Sequence, residues 1–357
     1  MTGIGPAVCL TLLAPATLAV AVPATLAAVG RLSRRRTTSQ VPQLLPSVVV
    51  LIPAHDEAAA LPTALRSLAA QDYPADRMRV VVVADNCADD TAAVAAAHLA
   101  TVVTRADAAR PGKGYALAAG LDALAGDPFD VVLVLDADCT LNRAALRELV
   151  GTLEVGVDVA QAAVRSRNAD DGPAGFAAAV GAATDAAVAV GRDRLGLSAR
   201  LRGTGMAFRR SALGRVRWAT GSPVEDAEYD RQLRAAGVRV GYAAGAEATA
   251  SAPALLTDLC RQRRRWAAAG PLGSKPLGLV LVGLAAAACG TLGHFLSWAL
   301  TLVLVAGAFY FLVASEVGWS RRRVGLLLAA PAVVTRLAAV AVAGWLRPVR
   351  GWVPAPG

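Results

Sequence analysis

Apolar and polar positions divide the chain into three parts. Residues 1–30 and 276–315 carry no Asp, Glu, Lys or Arg, while the stretch between them alternates short apolar runs with amphipathic ones. In that middle part, Ser47–Pro53, Arg79–Ala84 and Thr101–Thr104 read as strands. Ala58–Ala70, Thr91–Leu99 and Lys113–Ala125 read as the helices between them. This β-α-β alternation predicts an α/β protein with a parallel, Rossmann-like sheet. Val131 to Leu135 are five consecutive branched apolar residues, the pattern of a strand buried on both faces at a sheet's centre.

That central run leads into Asp136-Ala137-Asp138. If strand geometry persists so far, both carboxylates point to one side. The carboxyl edge of an open α/β sheet is where ligands bind, and two acids there can hold a divalent cation. The plain alternative is an acidic turn in which Asp136 caps the next helix.

Beyond Asp138 the periodicity loosens. Gly203 to Phe208 reads as a Gly-punctuated strand, open to close ligand approach or simply bulged. Ser222, Pro223 and Glu225 fit the N-cap, N1 and N3 positions of a helix start, which gives Glu225 a structural role. Asp226 follows as a first-turn acid whose ionised form the helix dipole favours. From about residue 254, Leu255, Leu259, Gln262 and Trp266 fall on one helical face, with Arg261, Arg264 and Arg265 displaced from it. Such a helix suits a membrane interface.

Composition sharpens this division. Hydrophobic residues make up 55% of the 357, and mean hydropathy is +0.47, with the excess at the two ends. Residues 6–30 are long enough to span a bilayer, and Arg31 with Arg34–Arg36 behind them predicts an outside-to-inside anchor. A signal peptide fits less well, because the positive cluster follows the apolar stretch. A polar linker over about 37–46 follows. The charge-free stretch before Glu316 is too long for one span and is divided near Gly290–His294. A last span covers about 324–346, with Arg336 near its middle facing protein, water or a polar ligand, or snorkelling from a tilted helix. A formal charge of +9 permits nucleic-acid binding. The arginine runs border apolar segments, however, where they set topology and meet anionic lipid, so no nucleic-acid partner is expected. The five cysteines form no CxxC pair, which excludes a zinc knuckle and fits a reducing compartment. The first strand is followed by Pro53-Ala54-His55-Asp56-Glu57 and no GxGxxG, which argues against a dinucleotide-dependent dehydrogenase.

Taken in order, these segments resemble the membrane-bound family 2 glycosyltransferases, a GT-A-fold group that includes cellulose and hyaluronan synthases. The resemblance covers about Ser47 to Pro271. Pro53, Asp56 and Glu57 stand in an opening motif where Asn is common at the position of Asp56. Ala84-Asp85-Asn86-Cys87-Ala88-Asp89-Asp90-Thr91 is similar to the family's nucleotide segment, with Ala84 replacing its first Asp; this leaves Asp85 as the base or ribose contact. Gly112-Lys113-Gly114 resembles the lysine turn beside the diphosphate, and Asp136 with Asp138 the metal motif. Glu225-Asp226 resembles the acidic pair whose Asp is the catalytic base. Gln262, Arg265 and Trp266 match the QxxRW motif on the acceptor and diphosphate side.

The resemblance implies inverting transfer of a sugar from a nucleotide diphosphate, UDP-linked, with Mg2+ or Mn2+, to a lipid, glycan or small-molecule acceptor. Inversion also suits one base with no covalent nucleophile beside it. The implied organisation is an anchor over 1–36, a cytoplasmic GT-A domain over 37–253, an interfacial helix over 254–275 and a transmembrane region over 276–357. The whole is expected to be a multi-pass protein of the inner cell membrane. A processive polysaccharide synthase is the alternative within the class, and a non-catalytic membrane scaffold the alternative outside it.

Overall fold

The computed structural model describes residues 21–30, residues 45–268 apart from 220 and 223, residues 313–329, and separate positions between 300 and 340. The expected linker over 37–44, the break near 290–294, and most of the expected spans over 6–30 and 276–346 lie outside them.

Strands β1 (Val48–Ala54), β2 (Met78–Asp85), β3 (Thr101–Arg105) and β4 (Val131–Val134) pair in parallel, as the apolar runs predict. A short helix α1 (Ala21–Gly30) precedes them. Between them lie α2 (Leu61–Ala69), α3 (Thr91–Ala97) and α4 (Lys113–Ala123). The second half breaks the all-parallel expectation. After β5 (Thr140–Leu141) come α5 (Ala145–Glu154), β6 (Val159–Ser166) and the long α6 (Pro173–Arg194). Next are β7 (Met206–Arg209), α7 (Arg210–Arg215), α8 (Glu225–Ala235) and β8 (Val240–Ala250). α9 (Leu256–Ala268) and α10 (Arg321–Leu328) follow. The sheet is mixed, in the order β3-β2-β1-β4-β7-β6-β8-β5. β7 runs antiparallel to both β4 and β6, and β8 returns parallel to β6.

Alternation along the strands builds two cores, one on each face. Val48, Val50, Ile52, Leu133 and Leu135 pack beneath α2 and α5. Val49, Leu51, Val132 and Val134 pack with Phe208, Trp218 and Tyr229 on the other side. A sheet covered on both faces needs apolar side chains in both registers, which is why these strands read as continuous apolar runs.

The DxD pair departs from its expected geometry. β4 ends at Val134, so Asp136 and Asp138 lie in the turn beyond it and not on one side of a strand. The antiparallel partner sets that turn. Strand β7 starts at Met206 opposite Val134, so the preceding Gly203-Thr204-Gly205 segment sits at the same edge as the carboxyl ends of β1, β2 and β4. Gly203 and Gly205 adopt φ +83° and +64°, so the expected strand begins later than its glycines. Side chains other than Gly rarely tolerate those angles.

Gln161 of β6, almost fully buried, clips this segment. Its amide nitrogen donates to the Thr204 carbonyl at 2.8 Å, and its oxygen accepts the Arg202 N–H at 2.9 Å. The Thr204 hydroxyl in turn accepts the Asp136 N–H at 3.1 Å.

Among the described residues only α6 is long and apolar enough to cross a membrane, and half of its apolar window is buried. It packs on β6 and β8 as a core helix. Its outer faces receive α1, α9 and residues from the chain's last quarter, including Val313 and Ala314. α1 crosses so closely that a Cβ on Gly191 would meet the Leu26 carbonyl oxygen at 1.8 Å. The amphipathic helix expected near 254 is α9, but Leu259 alone of its predicted apolar face is fully buried. Leu255 is 63% exposed ahead of the helix and Trp266 is 44% exposed.

Replacing Gln161 by Leu keeps the volume but leaves the Arg202 N–H and the Thr204 carbonyl without that partner. Each unsatisfied buried group costs about 1–3 kcal/mol, so denaturant unfolding is expected to show a loss of about 2 kcal/mol or more. An unchanged unfolding midpoint would show that the clip contributes nothing.

Candidate active site

Four loops leave the carboxyl edge of the parallel half, and each carries an expected residue. Pro53 closes β1, and Asp56 follows with φ +53°, an angle that Asp tolerates better than most residues. Its carboxylate Oδ1 accepts the N–H groups of Ala88 at 2.6 Å and Asp89 at 3.2 Å, joining the β1 and β2 loops. Asp89 returns the link by accepting the Ala58 N–H at 2.9 Å and the Thr91 N–H at 2.9 Å.

Asp85, at the end of β2, is 4% exposed. Arg105 binds its Oδ1 at 2.5 Å, and the Asn86 amide and the Gly112 N–H also approach its carboxylate. Arg105 lies over the Tyr115 ring at 5.6 Å and reaches Asp107 at 3.1 Å. A buried carboxylate needs such pairing, and Arg105 supplies it to Asp85 at the sheet edge. The sequence reading missed Arg105. Its only signal there was a charge closing an otherwise uncharged strand.

The centre of the site is Lys113, at the first position of α4. Its ammonium donates to the Gly203 carbonyl at 2.7 Å, forms an ion pair with Asp136, and stands 3.7 Å from Glu225. Burial works to lower the Lys113 pKa, but Asp136, Glu225 and Asp226 together outweigh it and hold the group above the ordinary lysine range. A Cβ on Gly203 would sit 3.5 Å from Asp226 Oδ2 and 3.6 Å from Lys113 Nζ, so Gly203 floors the space between them.

Glu225 departs from its capping role. α8 starts at Glu225 itself, after Val224, with no side-chain cap on its first turn. Ser222 Oγ accepts the Val224 N–H at 3.4 Å. Glu225 therefore turns toward Lys113, which offers a full charge in place of a single amide. Asp226 differs from expectation too. Burial pushes its carboxyl up, as it does that of Glu225, with Lys113 opposing in both cases. The Ala227 N–H at 2.8 Å gives the local helix-start stabilisation, but burial dominates it.

Beside this cluster, burial and then Asp138 and Asp136 push Glu57 up to about 7. Asp136 shares its charge with Lys113, whereas exposed Asp138 receives the Cys139 thiol at 3.4 Å. Asp136, Asp138 and Cys139 bring ligand atoms within 4.8 Å of one another. Oxygen donors whose mutual repulsion raises a neighbouring carboxyl suit a hard divalent cation, which would relieve that repulsion.

The QxxRW residues lie elsewhere, on α9 against α6. Gln262 is half-buried, Trp266 is exposed, and the Arg265 side chain lies outside the described residues. Arg263, a variable position of the motif, stacks its guanidinium 4.7 Å from the Trp266 ring.

A sequence profile of the glycosyltransferase-like family 2 matches residues 46–269. A probable glycosyltransferase of Bacillus subtilis is 36% identical over 112 residues, 30% of this chain and 26% of its own. An uncharacterized glycosyltransferase of Mycobacterium tuberculosis is 39% identical over 113 residues, 32% of this chain and 46% of its own. The beta-monoglucosyldiacylglycerol synthase of Synechocystis is 29% identical over 239 residues, 63% of this chain and 48% of its own. The chain thus spans less than half the length of each of these relatives. Among solved structures, a mannosyltransferase from Pyrobaculum calidifontis in complex with GDP-Man and Mn2+ shares the fold. Its TM-score is 0.59 at 19% identity, covering 95% of this chain and 98% of that one. With the profile matching well over half of its residues and an α/β sheet of GT-A type beneath it, the chain belongs to the glycosyltransferase-like family 2.

Proposed function

We propose that this protein transfers a sugar, with inversion, from a nucleotide diphosphate, UDP-linked, to an acceptor presented at a membrane. The observation that carries the reading is the convergence of Lys113, Asp136, Glu225 and Asp226 on the Gly203 turn. One cation there faces acids from the β4 turn and from α8, so leaving-group and base functions meet in one space.

In this reading Asp138, with Asp136, holds Mg2+ or Mn2+, which when bound neutralises the donor diphosphate. Asp85, fixed by Arg105, contacts the nucleoside, and Pro53, Asp56 and Glu57 line the nucleotide loop. Asp226 takes the proton of the acceptor hydroxyl as that oxygen bonds to the anomeric carbon and the bond to the diphosphate breaks. Lys113 stabilises the departing diphosphate, released from Asp136 as the donor arrives. Gln262, Arg265 and Trp266 serve the acceptor side. Support for a lipid acceptor comes from the name of the Synechocystis relative, a beta-monoglucosyldiacylglycerol synthase, and from the exposed Trp266.

The assignment of 37–253 as catalytic domain, 254–275 as interfacial helix, and 1–36 and 276–357 as membrane regions belongs to the same proposal. It rests on the charge-free ends and the arginines beside them. Assay of radiolabelled nucleotide sugars with membranes containing the protein, followed by identification of the labelled product, tests the whole reading. Absence of both transfer and donor hydrolysis for every nucleotide sugar would overturn it.

For Asp226→Asn, turnover is expected to fall about 10²- to 10⁴-fold while donor affinity persists. Because the base must be ionised and burial raises Asp226, activity should fall with decreasing pH through a value above the ordinary aspartate pKa of about 3.9. Near-normal turnover by a folded, donor-binding variant would remove Asp226 as the base.

For Asp138→Asn, calorimetric titration with nucleoside diphosphate should lose the gain in affinity that Mn2+ confers on the wild type. Retention of that gain would place the cation elsewhere.

The topology is open to cysteine labelling in intact cells. A cysteine placed near Thr38 is expected to resist external reagents, and ready labelling from outside would reverse the proposed orientation.

A further inference from the structure

α6, α9 and the segment around α10 enclose a second cavity, separate from the Lys113 cluster, of about 270 Å³. Its walls are mostly apolar, with Phe176, Val180, Leu326, Val333 and Leu337; Thr184 and Asp185 of α6 also line it, and Arg263 enters it from α9. Neighbouring cations on this side of the molecule have carboxylate partners. Arg202 pairs with Asp185 at 2.6 Å, Arg261 with Asp258 at 3.1 Å, and Arg323 with Asp170 at 2.7 Å. Arg263 has no such ion pair among the described residues, and its buried Nε meets no hydrogen-bond acceptor there. Asp185, which also lines the cavity, pairs with Arg202, and the Arg263 guanidinium lies 4.7 Å from the Trp266 ring centre.

A buried guanidinium donor with no acceptor, set among apolar walls, describes half of a binding site. The missing half is an anion attached to hydrocarbon. We propose that this cavity seats an anionic lipid, its phosphate on Arg263 and the start of its acyl chains along Phe176, Val180, Leu326, Val333 and Leu337. A free phosphate would satisfy Arg263 but leave the apolar walls facing water. A neutral lipid would cover the walls but leave Nε unpaired. The rim favours a lipid over an acidic peptide. Trp266 and Trp319 are 44% and 45% exposed, and Arg321 and Arg322 are exposed at the start of α10. Aromatic and arginine side chains together are the surface that meets lipid headgroups. The site does not depend on which sugar is transferred, nor on Asp226 being the base.

The test uses the full-length protein in neutral detergent, titrated calorimetrically with a short-chain phosphatidic acid, the matching diacylglycerol, and inorganic phosphate. Saturable binding is expected for phosphatidic acid only. Arg263→Gln should weaken it at least tenfold, while Arg264→Gln, one residue along on the exposed side of α9, should leave it unchanged. A Cβ on Gly181 would lie 3.3 Å from Arg263 Nη2, so Gly181→Leu fills the cavity and should also abolish binding. That second variant decides the matter if Arg263→Gln does not fold. Unaltered affinity in the folded variants overturns the proposal. So does binding of diacylglycerol or inorganic phosphate as tight as that of phosphatidic acid.

Discussion

The charge of Lys113 is the constraint on which the site depends. Asp136, Glu225 and Asp226 crowd one corner of the sheet edge around it; burial pushes the carboxyls of Glu225 and Asp226 up, and Lys113 opposes that in both. Lys113 is also a mobile partner. Its four-carbon stem and compact charge allow it to leave one carboxylate for a diphosphate, which a guanidinium locked in a bidentate pair resists. Buried ion pairs add little net stability once desolvation is counted. The cluster is therefore better understood as preorganisation for a negatively charged ligand than as cement for the fold.

The mixed sheet makes that preorganisation possible. An all-parallel sheet brings only strand ends and helix starts to its carboxyl edge. By inserting β7 antiparallel beside β4, the chain brings a glycine turn to the same edge. That turn supplies a carbonyl for Lys113, a hydroxyl for the Asp136 N–H, and a floor with no side chain between Asp226 and Lys113. Gln161, two strands away from β4, holds the turn from below. The loops after β1, β2 and β3 and the acid pair of α8 thus come from separate halves of the chain and meet across this turn.

α6 plays the corresponding part for the other face of the molecule. Its composition would suit a membrane, yet its inner side is committed to β6 and β8. Small residues on its outer side let α1 approach to backbone contact at Gly191, while α9 and the chain's last quarter cover the remainder. Flanking segments that are distant in sequence consequently share one helix as their base. Arg323, bonded to both oxygens of Asp170, ties α10 to the loop ahead of α6.

Wherever local pattern decides structure, the sequence was legible. Strands β1 and β4 and the second half of β2 are buried on both faces, so their apolar runs stand out, and the acids at or after the ends of β1, β2 and β4 follow from where those runs stop. The order of Asp85, Lys113, Asp136, Asp138 and Asp226, followed by Gln262, Arg265 and Trp266, indicated the family. The segments β6, α6 and β8 were not legible, because alanine-rich stretches lack a contrasting polar face and fit helix and strand alike. What the tertiary structure alone decided were the partnerships. Glu225 has an N-cap spacing, yet it faces Lys113 because a full charge across the cleft outcompetes a local amide. Asp226 sits at a helix start, yet burial raises it because desolvation exceeds the dipole. Asp85 is held by Arg105, and Arg263 turns inward onto α6 although the apolar stripe of α9 pointed elsewhere. Each of these depends on what another segment places opposite, and a charge carries no mark in its own sequence of the partner it will meet.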